Sequence, residues 1–321
     1  MSFQNIENKV IMSLDTLIGL HKEKKKAQID IKACRKTGNI FPHTIISGIG
    51  GTGKTALALA IGQELNYHTE IIEAGALKTR KNVLNKLQHA HAKAIELNKP
   101  LLFFLDEVHQ LKPTQQEFFY YPLDKDDPRL TTDGETVHFN KFTIIAATTR
   151  MDMLDQHSFV NRFVNKWTIS KYDVNDIVLI INGFFQKNNI KSNYQSIKKL
   201  AERCIGNPRQ AIRLSNRCKN ILDSENKSVL SDKDVKLAFE IEEVDIAGLN
   251  LLEVKYLKIL YENGLQNPRG LSSISGKLGE KQEIVETSIE PVLLSLDFID
   301  RVSQGRVITQ KGLNHIVKNH L

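Results

Sequence analysis

The first half of the chain alternates between short apolar runs and longer segments with apolar residues at helical spacing. The apolar runs are HTIIS, TEIIEA, LLFFL, FTIIAATT and the weaker NKWTIS. Runs that are apolar at nearly every position are typical of strands buried on both faces, as in a parallel sheet. Helical spacing separates them at residues 17–36, Ala56–Leu65 and 83–94. The alternation predicts an α/β fold, a parallel sheet covered by helices on both faces.

The second half shows a different pattern, because from about Tyr172 the apolar spacing is helical only. From about Asp245, three further helical stretches precede FIDRVSQGRVIT, in which two β-prone pieces flank a polar turn at Gly305. Helices followed by a small hairpin are typical of a winged helix, a frequent DNA-binding architecture. We therefore predict an α/β domain at 1–170, a small all-α domain at 171–244 and a winged-helix domain at 245–321.

Composition narrows the class of protein. The 321 residues carry a formal net charge of +7, which permits a nucleic-acid partner without requiring one. Three scattered cysteines without CxxC spacing (Cys34, Cys204 and Cys218) predict reduced thiols rather than a disulfide framework or a zinc site. No apolar stretch approaches the roughly 18–20 residues of a membrane span, and no signal-peptide pattern opens the sequence. We expect a soluble, cytoplasmic protein.

The strongest motif is GIGGTGKT, Gly48 to Thr55, which fits G-x-x-x-x-G-K-[ST] at every fixed position. It lies between a predicted strand and a predicted helix, the context in which such a loop wraps its N–H groups around phosphate. Lys54 is expected to reach the β- and γ-phosphates of ATP, and the Thr55 hydroxyl to hold Mg²⁺. The nucleotide-binding loop therefore comprises Gly48, Gly50, Gly51, Thr52, Gly53, Lys54, Thr55 and Ala56.

Two acidic residues complete the motif at the end of the run LLFFLDEVH. Asp106 and Glu107 follow a buried strand, at the edge where α/β sheets place their ligands. Asp106 is the expected second Mg²⁺ ligand, directly or through water, and Glu107 the residue that orients and deprotonates the attacking water. The run FTIIAATTR ends in two hydroxyls, and either Thr148 or Thr149 is placed to contact the γ-phosphate or the water.

In their order, GIGGTGKT, FLDEVHQL, IIAATTR, NRF and GNPRQAIRL resemble the RuvB family of AAA+ ATPases, the motors of bacterial Holliday-junction branch migration. The resemblance covers nearly the whole chain, including the winged-helix run from PRGLSSISGKLGEK to FIDRVSQGRVIT. It implies an AAA+ large domain, an all-α lid and a winged-helix domain. It also implies an ATP- and Mg²⁺-dependent enzyme that assembles as a homo-hexamer and acts on duplex DNA and Holliday junctions.

The resemblance also implies roles for residues outside the two nucleotide motifs. Leu17 and Ile18, with Gly19, match the stretch that contacts adenine, and Thr149 matches the sensor-1 threonine. Arg162 matches the arginine finger that reaches the γ-phosphate of the neighbouring subunit. Arg209 matches the sensor-2 arginine of the lid. On the expected recognition helix and wing, the DNA-contacting candidates are Lys277, Lys281, Arg301 and Arg306.

Several positions depart from the family. Val160 stands where the family carries the first arginine of RDRF, and Gln304 where its wing reads RGR. The phosphate loop lacks the family's proline pair. The segment between Gln110 and Lys141 keeps an Asp133-Gly134 turn but is shorter than the family's β-hairpin, which docks on RuvA. The short hairpin argues against binding to a standard RuvA and leaves a RuvA-like adaptor open.

Two other functions fit parts of the pattern. A clamp-loader subunit is also an AAA+ ATPase with a finger acting in trans, but the predicted winged helix stands where loaders carry a helical collar. A non-catalytic nucleotide-dependent scaffold is disfavoured by the intact Lys54, Asp106, Glu107 and Arg162. ATPase stimulation by DNA distinguishes the motor from the loader.

Overall fold

The computed structural model describes residues 13–124, 126–132, 134–264 and 267–319. The chain divides into two compact units, with the boundary in the sequence between Ser170 and Lys171. No helix in the described ranges combines the length and the apolarity that crossing a bilayer requires.

The first unit is an α/β unit with one main sheet and one small hairpin. Its elements are α1 (His21–Thr37), β1 (Thr44–Gly48), α2 (Lys54–Glu64), β2 (His68–Glu73), α3 (Arg80–Glu96), β3 (Leu101–Asp106), α4 (Pro113–Gln116), β4 (Arg129–Thr132), β5 (Glu135–His138), β6 (Phe142–Thr148) and β7 (Asn165–Ile169). The α/β fold class predicted from the apolar runs is confirmed.

The main sheet has the strand order β2-β3-β6-β1-β7, and its neighbouring strands are all parallel. Its interior strands β3 and β6 carry the most continuous apolar runs, and Leu101 to Leu105 have no exposed surface. The register pairs Leu105 with Ala146 and Ser47 with Thr148. The carboxyl ends of β1, β3 and β6 therefore meet at one edge of the sheet, where the predicted nucleotide motifs also lie.

Two helices begin at positions other than those predicted. Helical spacing was expected from residue 17, but α1 begins at His21 because Gly19 and Leu20 have φ values of 69° and 54°. A helix cannot continue through such left-handed residues. The second helix begins at Lys54, directly after Gly53 at φ 91°, so its first turn belongs to the phosphate loop. Leu17 and Ile18 consequently lie in the irregular segment before α1 rather than on a helix.

The hairpin β4–β5 is a short antiparallel ribbon that pairs Leu130 with Val137. Leu130 is fully buried in the core of the first unit, which fixes the inward face of the ribbon. Of the predicted turn, Gly134 has φ 81°, whereas Asp133 lies outside the described residues.

The second unit is mostly helical. Its elements are α5 (Val174–Lys187), α6 (Tyr194–Glu202), α7 (Pro208–Ser224), α8 (Asp232–Ile241), α9 (Leu251–Tyr261), α10 (Leu271–Leu278), α11 (Gln282–Ile284), a π-helical turn (Val285–Ile289), α12 (Glu290–Ser295), β8 (Ile299–Val302), β9 (Gly305–Ile308) and α13 (Gln310–Asn319). The helices α5 to α8 enclose one apolar cluster, and the elements from α9 onwards enclose another.

The elements from α9 onwards form the winged-helix pattern expected from the sequence. Strands β8 and β9 pair as an antiparallel hairpin, and an isolated bridge joins Arg269 to Arg306. The final helix α13 was not predicted. It packs Ile316 into the core, and Nε2 of His315 lies 2.7 Å from Oδ2 of Asp245.

Candidate functional site

The phosphate loop closes tightly between β1 and α2. Gly53 adopts φ 91°, a left-handed conformation that disfavours side chains with a Cβ. A Cβ on Gly48 would lie 2.8 Å from the carbonyl oxygen of Ile169 on the neighbouring strand β7. The Thr52 hydroxyl donates to the carbonyl of Ile49 at 2.8 Å and closes the turn. The loop therefore requires small residues, and α2 begins directly behind it with its positive N-terminus.

Lys54 is held inside this loop. Its Nζ donates to the carbonyl oxygens of Gly48 at 2.8 Å and Ile49 at 3.2 Å, and the residue is only 6% exposed. Carbonyl partners orient the ammonium without neutralising its charge. The loop therefore carries a fixed positive charge at the edge of the sheet.

Asp106 and Glu107 follow β3 at the same edge, and their pKa values move in opposite directions. Burial and the neighbouring charge of Glu107 raise the pKa of Asp106. Burial also raises the pKa of Glu107, but its hydrogen bond with His109 and the charge of Lys54 outweigh burial, so the net pKa is lowered. The lowered pKa keeps the carboxylate of Glu107 ionised and able to accept a proton, at the cost of some basicity. A partly buried carboxylate beside a second negative charge is stabilised by a bound cation.

The end of β6 supplies two threonines with different partners. The Thr149 hydroxyl donates to Oε2 of Glu107 at 3.2 Å. Thr148 is fully buried, and its Oγ1 accepts from the backbone N–H of Arg150 at 2.9 Å. Of the two hydroxyls that the sequence left open, Thr149 is therefore the one that contacts the carboxylate of Glu107. Its sensor role stays a prediction.

His109 is a member of this site that sequence reasoning missed. Its Nδ1 lies 3.2 Å from Oε2 of Glu107 and 3.1 Å from Oγ1 of Thr148. Glu107 has φ 48°, and the 3₁₀ turn that follows it spans Val108–Gln110. The turn reverses the chain and returns the imidazole to the carboxylate. The sequence feature that points to this residue is the histidine two positions after the acidic pair in LDEVH.

Arg162 projects from the surface of the first unit, in the 3₁₀ turn Val160–Arg162. Its Nε donates to the carbonyl of Ser158 at 3.0 Å, and its Nη1 donates to the carbonyl of Tyr120 at 3.1 Å. Its guanidinium carbon lies 4.6 Å from the centroid of the Tyr120 ring, a cation–π contact. All these partners are uncharged, so the exposed guanidinium retains its positive charge.

Three further residues are assigned to nucleotide contacts by the family resemblance: Leu17, Ile18 and Arg209. Leu17 and Ile18 are partly exposed, and Nζ of Lys24 donates to the carbonyl of Leu17 at 2.7 Å, which ties this segment to α1. Arg209 belongs to the second unit. It is exposed in the first turn of α7, where its backbone N–H is capped by Oδ1 of Asn207 at 2.9 Å. A cation there opposes the helix dipole and favours an anionic partner.

The two wing arginines expected to contact DNA, Arg301 and Arg306, are paired with carboxylates in the structure. Arg306 donates from Nε to Oε1 of Glu290 at 2.8 Å and from Nη2 to Glu286 at 3.1 Å. Arg301 pairs with the same Glu290 at 2.6 Å, and Glu290 has no exposed surface. Both wing arginines are thus neutralised by carboxylates within the second unit.

The structure places the two candidate lysines, Lys277 and Lys281, before the helical run that precedes the wing, and their role in DNA contact stays a prediction. Lys277 lies on the preceding helix α10, with Nζ 3.7 Å from Oε2 of Glu262. Lys281 is the residue before α11 rather than part of the helix. The helical run that follows, at residues 282–295, exposes the acidic Glu283. The sequence pattern concealed this because the turn after Gly279 interrupts the helical spacing.

The residues present fit a bound Mg²⁺–nucleotide. The donor set, the Thr55 hydroxyl and the Asp106 carboxylate, consists of the hard oxygen ligands that Mg²⁺ prefers. Gly48 lies too close to β7 for a Cβ, which keeps the loop tight, and the Nζ of Lys54 is held inside the loop. A strand–loop–helix phosphate site facing an Asp-Glu pair, on this parallel sheet and followed by helices, defines a P-loop ATPase of the AAA+ class.

Comparison with known proteins gives the family. The model of the Holliday junction DNA helicase RuvB P-loop domain matches residues 11–168, and that of the RuvB C-terminal winged helix domain matches residues 246–317. The Holliday junction branch migration complex subunit RuvB of Campylobacter lari is 30% identical over 94% of this chain and 89% of its own length. That of Neorickettsia sennetsu is 28% identical over 95% of this chain and 91% of its own.

A solved structure agrees in fold over almost the entire length. The Thermotoga maritima RuvB Holliday junction branch migration motor superposes with a TM-score of 0.85 at 26% identity, covering 97% of this chain and 98% of that one. The chain belongs to the RuvB family. The resemblance inferred from the sequence motifs, and the AAA+ fold with a C-terminal winged helix, are confirmed.

Proposed function

We propose that this chain is an ATP-driven motor that translocates duplex DNA and promotes branch migration of Holliday junctions. One observation carries the proposal. A phosphate loop facing an Asp-Glu pair and a winged helix are joined in one chain, in the order of the RuvB relatives. The clamp-loader alternative is not favoured, because residues 246–317 match the RuvB C-terminal winged helix domain.

In the proposed reaction, Glu107 accepts a proton from the attacking water, and Lys54 and the loop N–H groups bind the phosphates. The geometry supports these roles, since Lys54 is held inside the loop by the carbonyl oxygens of Gly48 and Ile49, and Glu107 follows β3 at the same edge of the sheet. Thr55 and Asp106 are the residues that would hold Mg²⁺, which neutralises developing phosphate charge. Thr149, bonded to Glu107, fits the sensor role, and Leu17 and Ile18 fit the adenine contact.

We infer that Arg162 acts on the neighbouring subunit in a homo-hexamer. Its exposure and its uncharged partners support this role, since its charge remains available to a second copy of the chain. Phosphoryl transfer gains about three to five orders of magnitude in rate from an arginine supplied in this way. Hydrolysis would then depend on assembly.

We further propose three functional domains: an ATPase domain at 1–170, a lid at 171–244 and a DNA-binding winged helix at 245–321. The separate apolar clusters of α5–α8 and of the elements from α9 onwards support the second boundary. Arg209, exposed at the start of α7, is the proposed lid residue that binds the γ-phosphate. A RuvA-like adaptor would meet only the short ribbon β4–β5. Three free, buried cysteines support a reducing, cytoplasmic location.

The proposal is tested by measuring the ATPase rate alone, with linear duplex and with a four-way junction, alongside strand separation of a labelled junction. We expect DNA to raise the ATPase rate and ATP to drive the junction apart, with Lys54→Ala as the inactive control. An ATPase rate that DNA leaves unchanged, or that rises only with a sliding clamp, would overturn the motor.

A further inference from the structure

We propose that His109 is a positioning residue that fixes the carboxylate of Glu107 for the attack of water. The inference rests on the proposed catalytic role of Glu107. It starts from a convergence of contacts, since both the Thr149 hydroxyl and the His109 imidazole lie 3.2 Å from the same oxygen, Oε2. Among the described residues, no donor lies on Oε1. One carboxylate oxygen is thus held, and the other is left to accept a proton.

The protonation of the imidazole follows from its neighbours. An ionised carboxylate only accepts hydrogen bonds, so Nδ1 of His109 must carry the proton that it shares with Glu107. Oγ1 of Thr148, 3.1 Å from Nδ1, is a second acceptor on the same side. Nδ1–H therefore lies between the end of β6 and the catalytic carboxylate, and Nε2 takes no part in this contact.

The backbone around His109 restricts where the ring can go. Glu107 has a left-handed φ of 48°, and Gln110 N–H bonds to its carbonyl oxygen at 2.9 Å. The turn packs closely against the loop after β2, where a Cβ on Gly75 would collide with Oε1 of Gln110. The His109 side chain is 10% exposed, compared with 34% for Glu107. A nearly buried ring on a braced turn thus holds a half-exposed carboxylate, as positioning requires.

Substituting His109 with asparagine or glutamine distinguishes the roles of the two ring nitrogens. The amide nitrogen of asparagine takes the place of Nδ1, whereas that of glutamine takes the place of Nε2. We expect His109→Ala and His109→Gln to lower kcat by about tenfold to a hundredfold, because a misplaced base loses part of its contribution. His109→Asn should restore most of the rate. KM for ATP, and binding of a fluorescent ADP analogue, should change little in all three variants.

A double-mutant cycle distinguishes this inference from its premise. If His109 acts through Glu107, His109→Ala should have no further effect on the residual rate of Glu107→Gln. A Glu107→Gln variant with full activity would refute the catalytic role itself. With that role intact, an unchanged or raised kcat in His109→Ala would overturn the positioning role. An equal loss in the Glu107→Gln background, or rescue by glutamine as good as by asparagine, would overturn it as well.

Discussion

The edge of the sheet and the wing of the winged helix were both expected to bind phosphate through basic side chains, yet they hold those side chains differently. At the edge of the sheet, Lys54 donates to carbonyl oxygens, and its charge also acts on the carboxylates of Asp106 and Glu107. On the surface of the first unit, Arg162 rests on carbonyl oxygens and an aromatic ring. Arg301 and Arg306 rest on the buried carboxylate of Glu290. The uncharged partners of Arg162 orient the guanidinium without cancelling its charge, whereas the carboxylate of Glu290 cancels the charge of the wing arginines. The partner of a basic residue therefore decides whether it is available to a ligand.

The wing network has a structural explanation of its own. Glu290 accepts hydrogen bonds from Arg301, Arg306 and the hydroxyl of the fully buried Tyr256, the last at 2.9 Å. A buried carboxylate is tolerated only when it is paired and hydrogen-bonded. The arginines thus stabilise the packing of the wing on α12, which is a role separate from DNA contact.

The largest effect is expected at Arg162, on the surface of the first unit. Arg162→Ala should lower the ATPase rate of the assembled protein by about three to five orders of magnitude, because the in-trans charge is lost. Folding should be unaffected, since the side chain is exposed. Steady-state ATPase assays with thermal melts measure both quantities. Arg162→Lys, the matched control, should remain impaired because a compact ammonium does not reproduce the guanidinium fork.

A smaller effect is expected in the wing, where substituting Arg306 should lower the free energy of unfolding. Arg306→Ala leaves the buried Glu290 with one arginine and should cost on the order of 3 kcal/mol of unfolding free energy. Urea unfolding measures this cost, which should shrink when Glu290→Gln is already present. Equal stability of Arg306→Ala and the wild type would mean that the network does not hold the wing. We also expect Arg306→Ala to bind DNA more weakly. The unfolding measurement is the control that separates a lost DNA contact from a destabilised wing.

Glu253, in the first turn of α9, is a second buried carboxylate of this unit. Unlike Glu290, it has no arginine bonded to it among the described residues. Burial, with the charge of Asp245, raises its pKa to about 7, although its bond from Asn250 N–H and the charges of Lys171 and Arg213 lower it. The folded state then holds a proton that the unfolded state releases. Stability should fall as pH rises from about 4.5 to about 7.

Glu253→Gln removes that ionisation and keeps an acceptor for Asn250. We expect it to stabilise the protein by up to about 3 kcal/mol at pH 8 and by almost nothing below pH 4.5. Urea unfolding at the two pH values gives the difference. A gain of the same size at both would show that the carboxyl titrates normally in the folded protein.

The smallest effect concerns a lysine of the winged helix that is not bound to Glu290. Lys281 precedes α11 and is exposed. Lys281→Ala should reduce the dependence of duplex affinity on log salt by about one unit, because one phosphate contact is lost. Fluorescence anisotropy across a salt series measures it, with Lys236→Ala on α8 as a surface control. An unchanged slope would remove Lys281 from the DNA-contacting surface.

Local patterns predicted the strands, most helices and the nucleotide motifs, because each depends on neighbouring residues. What they missed depends on distant contacts or on single backbone angles. The left-handed Leu20 moves the start of α1, and the left-handed Glu107 brings His109 to the site. Arg306 finds its partner Glu290 sixteen residues away. Helix α13 was missed because its short apolar stripe is defined by packing on α9 rather than by length.

The central claim is that one active site is built from Lys54 and Glu107 of one subunit and Arg162 of its neighbour. It is tested most directly by mixing Glu107→Gln and Arg162→Ala proteins, each nearly inactive alone, and measuring ATPase rate against mixing ratio in the presence of junction DNA. The account predicts that activity returns in the mixture and is highest at intermediate ratios, where an intact base meets an intact finger. Activity that stays at the level of the separate variants at every ratio, in particles shown to be mixed, would contradict it.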